Sequence, residues 1–191
     1  THAVLDRESR RNKAAKIVWI INRQRSLAGS RILDIGTGNG TIASELARSA
    51  GTSGFVTSID VADVRVDRDG YTFRLVSDDH LPFADGAFEI VVSNHVIEHV
   101  GDSEAQQRHV DEIARVLAPG GLAYVAVPYR WRLVENHYRL PFLSWLPGPL
   151  ADRYVRGMRR GDRYDCRLLT RRELSRMLRN AGLIATDATD E

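Results

Sequence analysis

The chain predicts a doubly wound α/β domain, in which helices cover both faces of a mostly parallel sheet of six or seven strands to give three layers. Two observations lead there. Short runs rich in Val, Ile and Leu alternate with helical stretches, as strands buried on both faces require. The first of these runs also passes directly into a glycine-rich turn, Gly36-Thr37-Gly38-Asn39-Gly40. The length of 191 residues, with 43% apolar and 27% charged content, is ordinary for one globular domain with a real core.

Taken in order, Ala14, Ile17, Val18 and Ile21 recur at helical spacing and predict an amphipathic helix over about 8–28, ended by Ala28-Gly29-Ser30. Arg31 to Ile35 reads as the first strand, 41–50 as a helix stopped by Gly51, and Phe55 to Asp60 as the second strand. Residues 61–71 carry little helical pattern, so the crossover to a third strand at Thr72–Val76 is expected to be a loop. Phe88 to Ser93 is the fourth strand, about 103–117 a helix, and Leu122 to Val127 the fifth strand after the Pro119-Gly120-Gly121 turn. An α-helical cap follows the fifth strand. Thr170 then caps a helix running to Asn180-Ala181-Gly182, and a last strand is expected from Leu183 to Ala188. The layout is a single domain: helix 1–30, core 31–128, cap 129–169, and helix with strand 170–191.

Several classes of protein are excluded at this point. A formal charge of +2 does not mark a nucleic-acid binder. Cys166 is the only cysteine, which rules out an internal disulfide and a cysteine metal cluster, and no metal is expected. The longest early apolar run, Ile17 to Ile21, is far too short to span a bilayer. No secretory signal is visible, so the expected location is cytoplasmic. The oligomeric state is not legible.

Gly36, Gly38 and Gly40 permit positive φ and let a ligand approach the backbone. A dinucleotide fold wants G-x-G-x-x-G, but position 41 is threonine. Asp34 at the strand end would repel a phosphate and suits a ligand carrying an ammonium group. An NAD(P)-dependent oxidoreductase is therefore the weaker alternative.

Leu33-Asp34-Ile35-Gly36-Thr37-Gly38-Asn39-Gly40 resembles the D/E-x-G-x-G-x-G motif of small class I S-adenosylmethionine-dependent methyltransferases, whose fold is Rossmann-like. The resemblance covers about 31–128. It continues in Asp60, where the family places a ribose-binding acid, and in Ser77-Asp78-Asp79-His80-Leu81-Pro82-Phe83, which is similar to its adenine-contacting D-x-x-x-L-P-F segment. Here Ser77 stands four before Leu81 and Asp78 three before, so either can serve the adenine amino group. The implied cofactor is S-adenosyl-L-methionine, with Asp34, Gly36, Thr37, Gly38, Gly40, Asp60, Ser77, Asp78, Asp79 and Asn94 as its binding residues.

Methyl transfer is an in-line attack on a sulfonium methyl, for which alignment in a dry site does most of the work. Where the acceptor needs a base, His99, which resembles the histidine of the family's E-H motif, and His95 are the candidates. Tyr129, His137 and Tyr138 are candidate acceptor contacts. From Arg139 to Arg172 nine arginines face three aspartates, which suits an acidic or lipid-linked acceptor, or peripheral contact with an anionic membrane. The expected partner is a small-molecule acceptor; nucleic acid is not expected. A catalytically silent cofactor- or partner-binding protein on the same scaffold is the other alternative.

Overall fold

The sheet has five strands, all parallel, in the order β3-β2-β1-β4-β5, where β1 is Arg31–Ile35, β2 Phe55–Asp60, β3 Thr72–Leu75, β4 Phe88–Asn94 and β5 Leu117–Ala126. The computed structural model describes residues 2–77, 80–128, 130, 133–134, 138–164 and 166–188, with helix side chains from residue 7 onward. Five helices accompany the strands: α1 His2–Gln24, α2 Thr41–Ala50, α3 Ser103–Val116, α4 Gly148–Gly157 and α5 Arg171–Asn180. The chain winds outward from β1 through β2 to β3, then returns to β4 on the other side of β1. That reversal opens a crevice at the carboxyl ends of β1 and β4, where sheets of this kind hold ligands.

Period-two alternation divides the core between the faces of the sheet. Ile32, Val56, Ile90 and Val92 pack with Ile17 and Ile21 of α1 and Leu46 of α2. Leu33, Ile35, Ile59 and Val91 pack with Ile113 and Val116 of α3 on the other face. Truncating a central residue such as the fully buried Ile90 to Ala would cost about 3–4 kcal/mol. A third cluster joins α5 to α3 through Met177, Leu169, Ile97 and Val110, and a fourth lies within the cap around Leu140, Leu143, Ala151 and Val155.

Three expectations need correction. α1 ends at Gln24, because the Asn22 side chain takes the Leu27 N–H and Ser26 that of Ala28, which turns the chain to bury Leu27. β5 begins at Leu117: Phe88 pairs Leu117 and Ile90 pairs Leu122, so the Pro119-Gly120-Gly121 turn lies inside the strand as a bulge. Leu183–Ala188 forms no strand, and the described sheet has five strands where six or seven were expected. Among the described residues, Leu183 alone of that segment packs against a core cluster, and no second strand lies beside it to complete a ladder. The Thr170 cap and the loop at 61–71 are as expected, and Glu173 reaches back to Thr170 to complete a capping box.

Candidate active site

The turn after β1 is set by its three glycines, which have unequal duties. All have positive φ. A Cβ on Gly36 would meet Val96 Cγ2 at 2.4 Å, and one on Gly40 would meet the Asp67 carbonyl at 2.0 Å. These two are needed for packing. A Cβ on Gly38 would meet nothing within 4 Å, so Gly38 faces the open crevice.

The turn is also fixed by hydrogen bonds. The Gly36 and Thr37 N–H groups donate to the Ile59 carbonyl. The Val66 and Asp67 N–H groups of the β2–β3 loop donate to the Asn39 carbonyl, and Thr41 Oγ1 donates to Asp67 Oδ2 at 2.8 Å. Tyr71 closes the loop by donating to the Asp67 carbonyl at 2.6 Å. Loop 61–71 thus does the work of a helical crossover by gripping the turn.

Two aspartates flank this turn in different states. Asp34 is 1% exposed and accepts from Ser58 Oγ at 2.7 Å, while Ser58 Oγ lies 2.5 Å from Thr37 Oγ1. Burial pushes the Asp34 carboxyl up to about 6; the Ser58 hydrogen bond opposes the shift and the nearby Asp60 charge adds to it. The side chains of Asp34 and Thr37 therefore lie beneath the turn. Asp60 is half-buried at the crevice edge, accepting the Gly38 N–H on Oδ2 at 2.8 Å and the Val61 N–H on Oδ1 at 2.7 Å. A carboxylate has about four lone-pair sites, so capacity remains for an incoming hydroxyl.

The opposite wall is the exit from β4. Asn94 ends the strand, and its buried Oδ1 has no donor. His95 follows with φ of 59°, and its Nδ1 lies 3.3 Å from Glu98 Oε1. Glu98, in a 3₁₀ turn over Ile97–His99, is 1% exposed, and neither carboxylate oxygen accepts a hydrogen bond. Lys13 of α1 supplies the positive field that reaches it. Leaving such atoms without donors costs roughly 1–3 kcal/mol each, so the exit from β4 holds unsatisfied polar groups that the turn after β1 does not.

His99 is exposed and meets Cys166 Sγ through Nδ1 at 3.6 Å. Ser77 is exposed beyond the end of β3, and Tyr138 turns into the cap, donating to the Arg163 carbonyl at 2.9 Å. Asp78, Asp79, Tyr129 and His137 lie outside the described residues. Sequence reasoning missed Glu98, whose isolation from donors is purely tertiary. It also missed His109 of α3, which is buried against Ser93 Oγ at 3.0 Å and pushed down to about 4 by burial, so it stays neutral. Among the described residues no group of His, Cys, Asp and Glu is placed to hold a metal ion.

The orphaned Asn94 Oδ1, the open face at Gly38 and the spare capacity of Asp60 together fit a ligand carrying donors and a nucleoside-like end. Comparison with known proteins agrees. Residues 7–187 match the family model described as a methyltransferase domain. A ubiquinone biosynthesis O-methyltransferase of Chelativorans sp. (strain BNC1) is 31% identical over 84% of this chain and 61% of that protein. A ubiquinone/menaquinone biosynthesis C-methyltransferase of Geobacter sulfurreducens is 31% identical over 75% of this chain and 57% of that protein. The chain thus spans about three fifths of the length of these curated relatives. In fold it is similar to a solved S-adenosylmethionine-dependent methyltransferase from Methanosarcina mazei, with a TM-score of 0.61 and 23% identity over 85% of this chain and 82% of that one.

The chain belongs to the methyltransferase domain family.

Proposed function

We propose that this chain transfers the methyl group of S-adenosylmethionine to a small-molecule acceptor presenting a hydrogen-bond donor, a hydroxyl being the best fit. The carrying observation is a turn open at Gly38 and edged by Asp60, next to which the neighbouring strand β4 ends in buried oxygens of Asn94 and Glu98 that lack hydrogen-bond donors. When bound, the cofactor supplies the methyl on an already activated sulfonium. Gly38 and Asp60 hold it from the β1 side, Ser77, Asp78 and Asp79 serve its adenine end, and Asn94 binds from the β4 side. Asp34 offers a buried negative charge beneath the turn.

On the acceptor side, His95 would take the hydroxyl proton as the oxygen gains the methyl and the sulfonium leaves as a thioether, while Glu98, 3.3 Å from His95 Nδ1, would stabilise the positive charge that forms on the imidazole. His99 lies further out against Cys166 and orients the cap return over this wall. The relatives named for ubiquinone and menaquinone biosynthesis support an apolar, ring-bearing acceptor. Incubation with methyl-labelled S-adenosylmethionine and a panel of hydroxylated aromatic acceptors tests this. Labelled product, lost in His95→Asn and retained in His99→Asn, is expected; cofactor binding without transfer to any member would overturn it.

A further inference from the structure

The cap carries a surface that the crevice does not use. Its four-residue core of Leu140, Leu143, Ala151 and Val155 is buried, yet large apolar side chains on the same elements point away from it. Phe142 is 49% exposed, Leu150 54% and Met158 52%. With Pro141, Leu146 and Tyr154 they line an open groove of about 680 Å³. On α4, Leu150, Tyr154 and Gly157 form one stripe at helical spacing, while Ala151 and Val155 form the buried one.

The backbone is arranged to keep these groups outside. Of the four non-glycine residues with positive φ among those described, three are in this cap: Arg139, Phe142 and Arg159. Phe142 is held there by its N–H donating to the Leu133 carbonyl at 2.7 Å, with its ring edge-on to Trp145 at 5.1 Å. A left-handed phenylalanine costs roughly 1–2 kcal/mol, and here that strain coincides with a ring half in solvent.

Charge identifies the occupant. Nine arginines against three aspartates give Arg139 to Arg172 a charge of +6, where the whole chain carries +2 and the remainder is therefore acidic. Arg153 lines the groove, and Arg156, Arg159, Arg160 and Arg163 stand exposed on the same stretch of chain; none of the five has a carboxylate partner among the described residues. Projecting Leu, Met and Phe side chains on a segment whose arginines lack carboxylate partners match an acyl region beneath anionic headgroups. A nucleic-acid backbone would use the arginines and leave the apolar groups in water.

We propose that this face of the cap docks on a lipid bilayer bearing anionic headgroups, seating the crevice mouth near the membrane. The docking stands apart from the identity of the methyl acceptor. Sedimentation of the full chain with vesicles of phosphatidylcholine alone, and with about one third phosphatidylglycerol, tests it. Binding to the anionic vesicles only, weakening as salt rises, is expected.

Arg153→Gln with Arg160→Gln should weaken that binding roughly 25-fold, about fivefold per arginine. Leu150→Gln with Met158→Gln should weaken it at least tenfold without altering S-adenosylmethionine affinity by calorimetry, which separates loss of docking from loss of the cofactor site. Four outcomes would overturn the proposal: equal binding to both vesicles, no binding to either, anionic binding unchanged by the Leu150 and Met158 pair, or tighter binding to RNA at the same salt. Self-association through this face, seen by ultracentrifugation and removed by the same pair, would overturn it as well.

Discussion

The two walls of the crevice differ in how completely they are satisfied. The turn after β1 closes on itself: the Thr37, Asn39 and Gly40 carbonyls, the Asp34 and Asp60 carboxylates and the Thr37 hydroxyl have partners within the chain. The exit from β4 leaves Asn94 Oδ1 and both Glu98 oxygens without a hydrogen-bond donor among the described residues, and holds His95 in the left-handed region. The first wall is finished before any ligand arrives, so it can be rigid. The second keeps its unsatisfied oxygens buried, with Glu98 in electrostatic reach of Lys13 of α1 and His109 of α3. Finished walls are broken by steric change, unfinished ones by chemical change.

The largest expected effect is steric. Gly40→Val should destabilise by about 4 kcal/mol or more in urea unfolding, because backbone stands 2.0 Å from its Cβ. Gly38→Ala should cost only about 1–2 kcal/mol, the left-handed penalty, while weakening cofactor binding in calorimetry. Equal destabilisation by the two would break the contrast between packing and crevice glycines.

Next comes pH. Asp34 has a carboxyl raised from 3.8 to about 6, so its contribution to stability is full below pH 4 and is lost as pH rises through 6. His109, lowered from 6.5 to about 4, contributes the opposite slope: its share is present above 6.5 and is lost as pH falls towards 4. Between pH 4 and 6 the two oppose each other and the wild type should be nearly flat. Asp34→Asn should raise stability at pH 7.5 by about 3 kcal/mol, two pKa units at 1.4 each, and expose the His109 slope as a loss on acidification. The same variant should bind S-adenosylmethionine more weakly. A flat thermal-melting profile for Asp34→Asn from pH 7 to 4.5 would contradict this balance.

On the unfinished wall, Glu98→Gln should leave cofactor affinity within about twofold yet lower methyl transfer roughly 100-fold, the usual scale for a lost proton-handling group. Unchanged turnover would return Glu98 to a structural role. The smallest effect is Tyr71→Phe, which removes one hydrogen bond to the Asp67 carbonyl and should cost about 1 kcal/mol in unfolding.

The strands and helices that carry this site were legible because their signals are local. Thr170 caps α5, Gly51 stops α2, and buried strands read as apolar runs. The missing strand at Leu183–Ala188 and the early start of β5 were not legible, since pairing depends on which neighbour is present and local patterns do not report it. Among site residues, the motif picked out Gly36, Gly38, Gly40, Asp34 and Asp60, but it could not divide them. Only the fold shows that Gly38 faces space while Gly36 and Gly40 face atoms.

Sequence alone therefore determined the order of elements, the place of the turn and the family. Backbone conformation, capping and the covalent adjacency of the glycines to β1 depend on neighbours along the chain. Tertiary structure decided the protonation of Asp34 and His109, the isolation of Glu98, and the outward projection of Phe142, Leu150 and Met158. Each of these follows from desolvation, or the lack of it, by residues distant in sequence. Burial is a property of the assembled surface, and no single segment carries it.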